Sequence, residues 1–267
     1  MKNKKVISLV FAIIIAVIVY YQERQVKKSA HLKSEVKNKV SFDFLPSSTT
    51  NQMVNHHYYS LSYNEKAEQP EWVAYELKPE QLKYIDRKRP YFIQDRKVKT
   101  KSADYHNYKN SGYDKGHLCP AGDRRFSEDA FNETFLTSNI SPQNHQFNAG
   151  VWNRLEQKTR YWTKKYGNLY VITGGVLKDK NLKTIGREKV VVPNRFYKII
   201  LDYNTSKPKI IAFLVPNKDT NLPLYKFTTT VDEIEKITGI DFFPALPDSL
   251  ENVLESQNDY KKWTFRY

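Results

Sequence analysis

His117 follows Gly116 in the run Asp114-Lys115-Gly116-His117-Leu118-Cys119-Pro120-Ala121-Gly122-Asp123-Arg124-Arg125, where a strand or turn can present an imidazole. Further on, Asn148, Trp152, Glu156 and Arg160 fall at i, i+4, i+8 and i+12. On a helix beginning near Asn148 this row drifts only gradually round the surface. An amide, a carboxylate and a guanidinium can then reach one place while Trp152 packs inward. Each type suits one part of phosphodiester hydrolysis. Imidazole, with an ordinary pKa of about 6.5, can take a proton from water. Magnesium keeps most of its waters and needs few protein oxygens, so one Asn amide suffices where phosphate oxygens complete the shell. Arg or Lys offsets the charge left on the phosphate.

The elements that must position these residues follow from local patterning. Tyr58–Tyr63 and Trp72–Leu77 read as strands joined by a polar turn ending in Pro70. Val151–Tyr166 has helical spacing of Trp152, Leu155, Thr159 and Trp162 and stops before Gly167. Leu169–Thr173 is a β-rich run broken by Gly174-Gly175, and Arg195–Tyr203 and Lys209–Val215 are further strands flanked by Pro193, Pro208 and Pro216. Thr230–Thr238 is a short helix with capping-box spacing from Thr230 to Glu233. Asp129–Thr134 reads as a poor strand between loops. Strands and helices mix without βαβ alternation, which points to the α+β class.

The chain has 267 residues, 40% of them hydrophobic and 14% aromatic, enough for a real core and against wholesale disorder. A single Cys excludes an intramolecular disulfide framework and a Cys-based zinc cluster. The net charge of +14 points to polyanionic partners, nucleic acid or anionic lipid. Half of that excess sits in the first 40 residues, with nine Lys/Arg against two acids, so the main domain is only moderately basic.

The expected organisation is a basic flank over residues 1–5, an apolar segment over 6–21, a polar basic tether over 22–55 and one catalytic domain over 56–267. Three Lys followed by 16 apolar residues is a membrane-targeting pattern. No small-x-small cleavage pattern follows, and Tyr20-Tyr21 suits an interface, so the segment reads as an uncleaved anchor. The rivals are a cleaved signal, which would make the protein secreted, and a buried helix. The expected location is thus a membrane-anchored protein with an exported, periplasmic or extracellular, catalytic domain. Val26–Val40 has a second reading as an amphipathic helix on anionic lipid.

Three runs in order, Asp114–Asp123, Ser138–Gln143 (Ser-Asn-Ile-Ser-Pro-Gln) and Asn148–Glu156 (Asn-Ala-Gly-Val-Trp-Asn-Arg-Leu-Glu), resemble the signature of the DNA/RNA non-specific endonucleases. The likeness extends over roughly residues 57 to 258. It implies a ββα-metal (His-Me finger) core in a larger α+β domain. It implies one magnesium held directly by Asn148, with manganese also acceptable to an oxygen site. It implies His117 as general base, Glu156 ordering the waters around the metal, Asn139 supporting the site and Arg160 on the phosphate. Cleavage of DNA and RNA to 5′-phosphate and 3′-hydroxyl ends follows from the same likeness.

The pattern departs at Lys115, where the family carries Arg: charge is kept and the bidentate fork is lost. The family's upstream Arg falls in Asp86-Arg87-Lys88-Arg89-Pro90, with Arg89 the choice and Arg87 the rival. Arg124-Arg125 and Arg96–Lys101 flank the motif and face nucleic acid or merely solvent. Glu156 and Arg160 also read as a plain helix ion pair. Cys119 reads as packing, and His56, His57 and His145 as surface residues. Oligomeric state is open, with a homodimer as one option. The competing function is a cleavage-deficient envelope protein that binds nucleic acid, which Lys115 alone favours.

Overall fold

Leu61 and Tyr63 alternate with Ser60 and Ser62 along Ser60–Asn64 (β2), whereas Gln69–Leu77 (β3) is buried almost throughout, and the two strands pair antiparallel behind the short Met53–Asn55 (β1). A computed structural model of the chain describes residues 42–203 and 207–265. The next elements are Asp114–His117 (β4), Glu128–Glu133 (α1), Ile140–Gln143 (β5), Asn153–Tyr166 (α2) and Leu169–Gly175 (β6). Lys183–Ile185 (β7), Val190–Val192 (β8), Arg195–Asp202 (β9), Lys209–Pro216 (β10) and Thr228–Thr229 (β11) follow, then Val231–Thr238 (α3) and Asp248–Glu255 (α4).

The main sheet has seven antiparallel strands in the order β1-β2-β3-β6-β9-β10-β11. α2 buries Leu155 and Trp162 in one core with Val73 and Tyr75 of β3, Val171 of β6, Ile200 of β9 and Phe213 of β10. A second cluster of Phe92, Phe131, Phe135, Ile140, Val190 and Val192 lies beneath the separate β4–β5 pair. The strand expected to break at Gly174-Gly175 runs through both glycines, which pair with Tyr197 and Phe196 of β9; a Cβ on Gly174 would lie 2.3 Å from the Glu71 carbonyl oxygen. Asp129–Thr134 is helical rather than extended: Ser127 caps α1 by accepting the Ala130 N–H. Thr230 caps α3 through the Glu233 N–H at 3.2 Å, as its spacing predicts.

Two expectations about the N-terminal part need correction. The compact unit starts at Phe44, so residues 44–55 belong to it and not to a tether. Polar side chains there are committed to long-range bonds: Thr49 N–H donates to Glu71 at 2.8 Å, and Ser48 Oγ lies 2.6 Å from Ser62 Oγ. The mixed α+β domain carries no membrane helix among its described residues, where no helix is long and apolar enough to cross a membrane. The apolar segment 6–21 and the alternative helix at Val26–Val40 lie outside the described residues.

Candidate active site

β4 ends in His117, and its alternation puts Lys115 and His117 on one face. Gly116 between them faces Gln143 of β5, where a Cβ would come within 2.1 Å of Gln143 Cδ, so any larger residue would have to displace the buried Gln143 side chain. The His117 ring lies against Phe92 (5.6 Å between centroids) and Phe135 (5.0 Å), which set its plane. Its Nε2 is buried without a hydrogen-bond partner among the described residues. Burial, helped by the positive charge of Arg89, pushes the imidazole pKa down to about 3. The ring is therefore neutral near pH 7, the state a base requires.

Asn144 caps the helical turn His145–Phe147, and Asn148–Trp152 then forms one π-helical turn before α2. Gly150 leaves helical geometry there, with φ −97° and ψ −105°. The expected single helix from Asn148 is thus interrupted, and the wider turn resets the angle between Asn148 and Glu156. Trp152 is fully buried and stacks on Phe147, consistent with packing. Asn148 Nδ2 donates to Asp114 Oδ2 at 2.9 Å, which turns its amide oxygen away from Asp114. His145 is exposed as expected, and its Nδ1 lies 2.9 Å from the same carboxylate oxygen.

Glu156 lines the same cleft as His117 and Asn148, together with Arg87, Arg89 and Arg125, around a volume of about 290 Å³. Burial pushes its carboxyl up to about 7; Lys198 and Arg160 pull against that and Asp123 adds to it. Lys198 of β9 is fully buried and donates to Thr173 Oγ1 at 2.8 Å. Arg160 Nη1 donates to buried Asp123 at 2.7 Å and stands 3.9 Å from Glu156 Oε2. Tyr75 completes this network with its hydroxyl on Asp123 at 2.9 Å. Asp123, Lys198 and Tyr75 escaped sequence reading, because only their burial around Glu156 makes them part of the site.

The other predicted residues divide. Arg89 lies over Phe92 and Phe135 at 5.4 Å from each ring centre, and Arg87 also faces the cleft while donating to the Arg125 carbonyl at 2.7 Å. Lys115 Nζ sits 5.5 Å from the Phe92 ring centre. Asn139 is fully buried and does not reach the cleft: it accepts the Cys119 N–H at 2.8 Å and donates to the Cys119 and Thr134 carbonyls. It pins the loop after His117. Arg124 is corrected from a substrate contact to a structural residue. It is 1% exposed, donates to the Tyr58 and Glu76 carbonyls, and lies over Tyr75. Its neighbour Arg125 is the one that lines the cleft. His56, expected at the surface, is buried in a pair with Asp95 at 2.8 Å.

The donors suit a hard divalent cation: an amide oxygen freed by Asp114, a carboxylate beside it, and no thiolate. The chain matches the profile of the DNA/RNA non-specific endonucleases over residues 40–249. It belongs to that family. Family membership makes it an endonuclease acting on nucleic acid, in a family that depends on a divalent metal.

A zebrafish relative, the mitochondrial nuclease EXOG of Danio rerio, is 37% identical over 245 residues, covering 85% of this chain and 69% of its own. The Xenopus laevis counterpart is also 37% identical, and this chain spans 58% of its length. Human mitochondrial endonuclease G is 32% identical across 73% of this chain and 70% of its own. Among solved structures, the complex of endonuclease G with the inhibitor EndoGI matches with a TM-score of 0.68 and 31% identity, over 73% of this chain and 86% of that one. These relatives carry mitochondrial names, and no described helix could cross a membrane. The expectation of a membrane-anchored, exported catalytic domain, with the membrane as partner, is therefore withdrawn.

Proposed function

We propose that this family member hydrolyses DNA and RNA without sequence preference, leaving 5′-phosphate and 3′-hydroxyl ends, with His117 as general base. The observation that carries the reading is the convergence of His117, Asn148 and Glu156 with three arginines in one cleft. Neutral His117 takes a proton from the attacking water. Its aromatic walls keep it from turning away. Asn148 would hold magnesium or manganese through its amide oxygen, and Glu156 would order the water around it. The bound cation supplies Lewis acidity to the phosphate and to the departing oxygen. Arg87, Arg89 and Arg125 hold the phosphate backbone from one wall, and Lys115 adds charge on the His117 side. Arg160 acts one step back, fixing Asp123 and drawing Glu156 toward its charged form.

The test is cleavage of supercoiled plasmid and of single-stranded RNA by the full chain, with magnesium, with chelator, and with His117→Ala. Cleavage that needs both metal and His117 is expected. Salt-sensitive binding without cleavage in any divalent metal would replace this reading with that of a nucleic-acid-binding protein.

A further inference from the structure

Far from the nuclease residues in sequence, α3 and α4 bring three carboxylates together. One oxygen each from Asp232, Glu235 and Glu255 lies within 4.8 Å of the others. Clusters of exposed acids are common, but one member here is not exposed. Glu255 is only 5% exposed, and its Oε1 is buried with no hydrogen-bond partner among the described residues. An unpaired buried carboxylate oxygen costs free energy unless a proton or a cation meets it, and burial accordingly pushes the Glu255 carboxyl up to about 9. The neighbourhood deepens that cost: Glu235, Glu251, Asp232 and Asp241 all act on Glu255 with like charge. No Lys or Arg forms an ion pair with Asp232, Glu235 or Glu255 among the described residues. Glu235 already accepts the Phe242 N–H at 2.8 Å, which holds it in place from the loop between the two helices.

We propose that Asp232, Glu235 and Glu255 bind a calcium ion that ties α3 to α4, distinct from the nuclease metal. Oxygen-only donors select a hard cation. Ligand number then decides between the two common ones. Calcium accepts many protein oxygens in flexible geometry, whereas magnesium keeps most of its waters and takes one or two carboxylates, so three protein carboxylates suit calcium. Glu255 anchors the site from the buried side, and Asp232 closes it from solvent.

The full chain carrying Asn148→Ala, which removes the nuclease metal ligand, is stripped with chelator and titrated with calcium by calorimetry and thermal unfolding. One calcium per chain is expected, with a Tm rise of roughly 5–10 °C at a hundredfold excess over Kd. Glu255→Gln or Asp232→Asn in this background should abolish both signals. Asp232 is exposed, so Asp232→Asn decides the matter if the buried variant does not fold. A chain that takes up no calcium, an undiminished response in Asp232→Asn, or an equal or larger shift with magnesium would each overturn the proposal.

Discussion

Asn148 Nδ2 donates to Asp114 Oδ2 at 2.9 Å, joining the start of the π-helical turn to the start of the strand that ends in His117. One bond thus sets which end of the Asn148 amide faces the cleft and holds the two motif runs in register. Asp114→Ala should leave the fold intact, since the side chain is partly exposed. It should raise the magnesium concentration needed for half-maximal cleavage by about 10–100-fold. An unchanged magnesium requirement would show that the amide is held by other means.

His117→Ala is expected to lower turnover by about 10²–10⁴-fold, with far-UV circular dichroism and nucleic-acid affinity nearly unchanged. Retained turnover would remove His117 from the chemistry.

Acid sensitivity should belong to Glu156 and not to His117. The imidazole, with a pKa pushed down to about 3, stays neutral and competent well below pH 6.5. Glu156, raised from 4.5 to about 7, is protonated below that pH and charged above it. Magnesium affinity should therefore strengthen as pH rises through about 7, and it should be weaker and flat with pH in Glu156→Gln. A wild-type magnesium affinity independent of pH from 5 to 8 would contradict this assignment.

Two adjacent arginines should respond in opposite ways. Arg124→Ala strands the carbonyls of Tyr58 and Glu76 and should cost about 3 kcal/mol of stability, read by urea unfolding. Arg125→Ala should leave stability within about 0.5 kcal/mol and weaken binding to all sequences alike. It should also reduce the slope of log affinity against log salt by about one. Equal effects on stability would mean that burial does not separate the two.

Lys115→Arg should tighten phosphate binding modestly, because a planar fork replaces a point charge over the Phe92 ring. KM for a short duplex should fall with turnover little changed; a fall in turnover would indicate that the larger group crowds His117.

Much of this was readable from local pattern. Helical spacing through Trp152, Leu155, Thr159 and Trp162 placed α2, the Thr230 cap placed the start of α3, and β-rich runs bounded by Pro and Gly placed the central strands. Three ordered motif runs named His117, Asn148 and Glu156 before any contact was known. Such signals survive in sequence because they depend on neighbours one to four residues away. What escaped depends on residues far apart in the chain. Arg124 and Arg125 are alike in type and differ only in which one is buried against β3 and which one lines the cleft. Residues 44–55 look like a tether until Glu71 and Ser62 accept their polar groups. The π-helical turn follows from fitting Asn148 against Asp114 and Trp152 into the core at once. Burial is the main cause of both shifts: it holds the His117 imidazole neutral, helped by Arg89, and raises the Glu156 carboxyl against the pull of Lys198 and Arg160. Residue type determined which groups could do chemistry here; only tertiary burial decided which are charged, which are held and which face the cleft, because desolvation and long-range hydrogen bonds have no signature in local spacing.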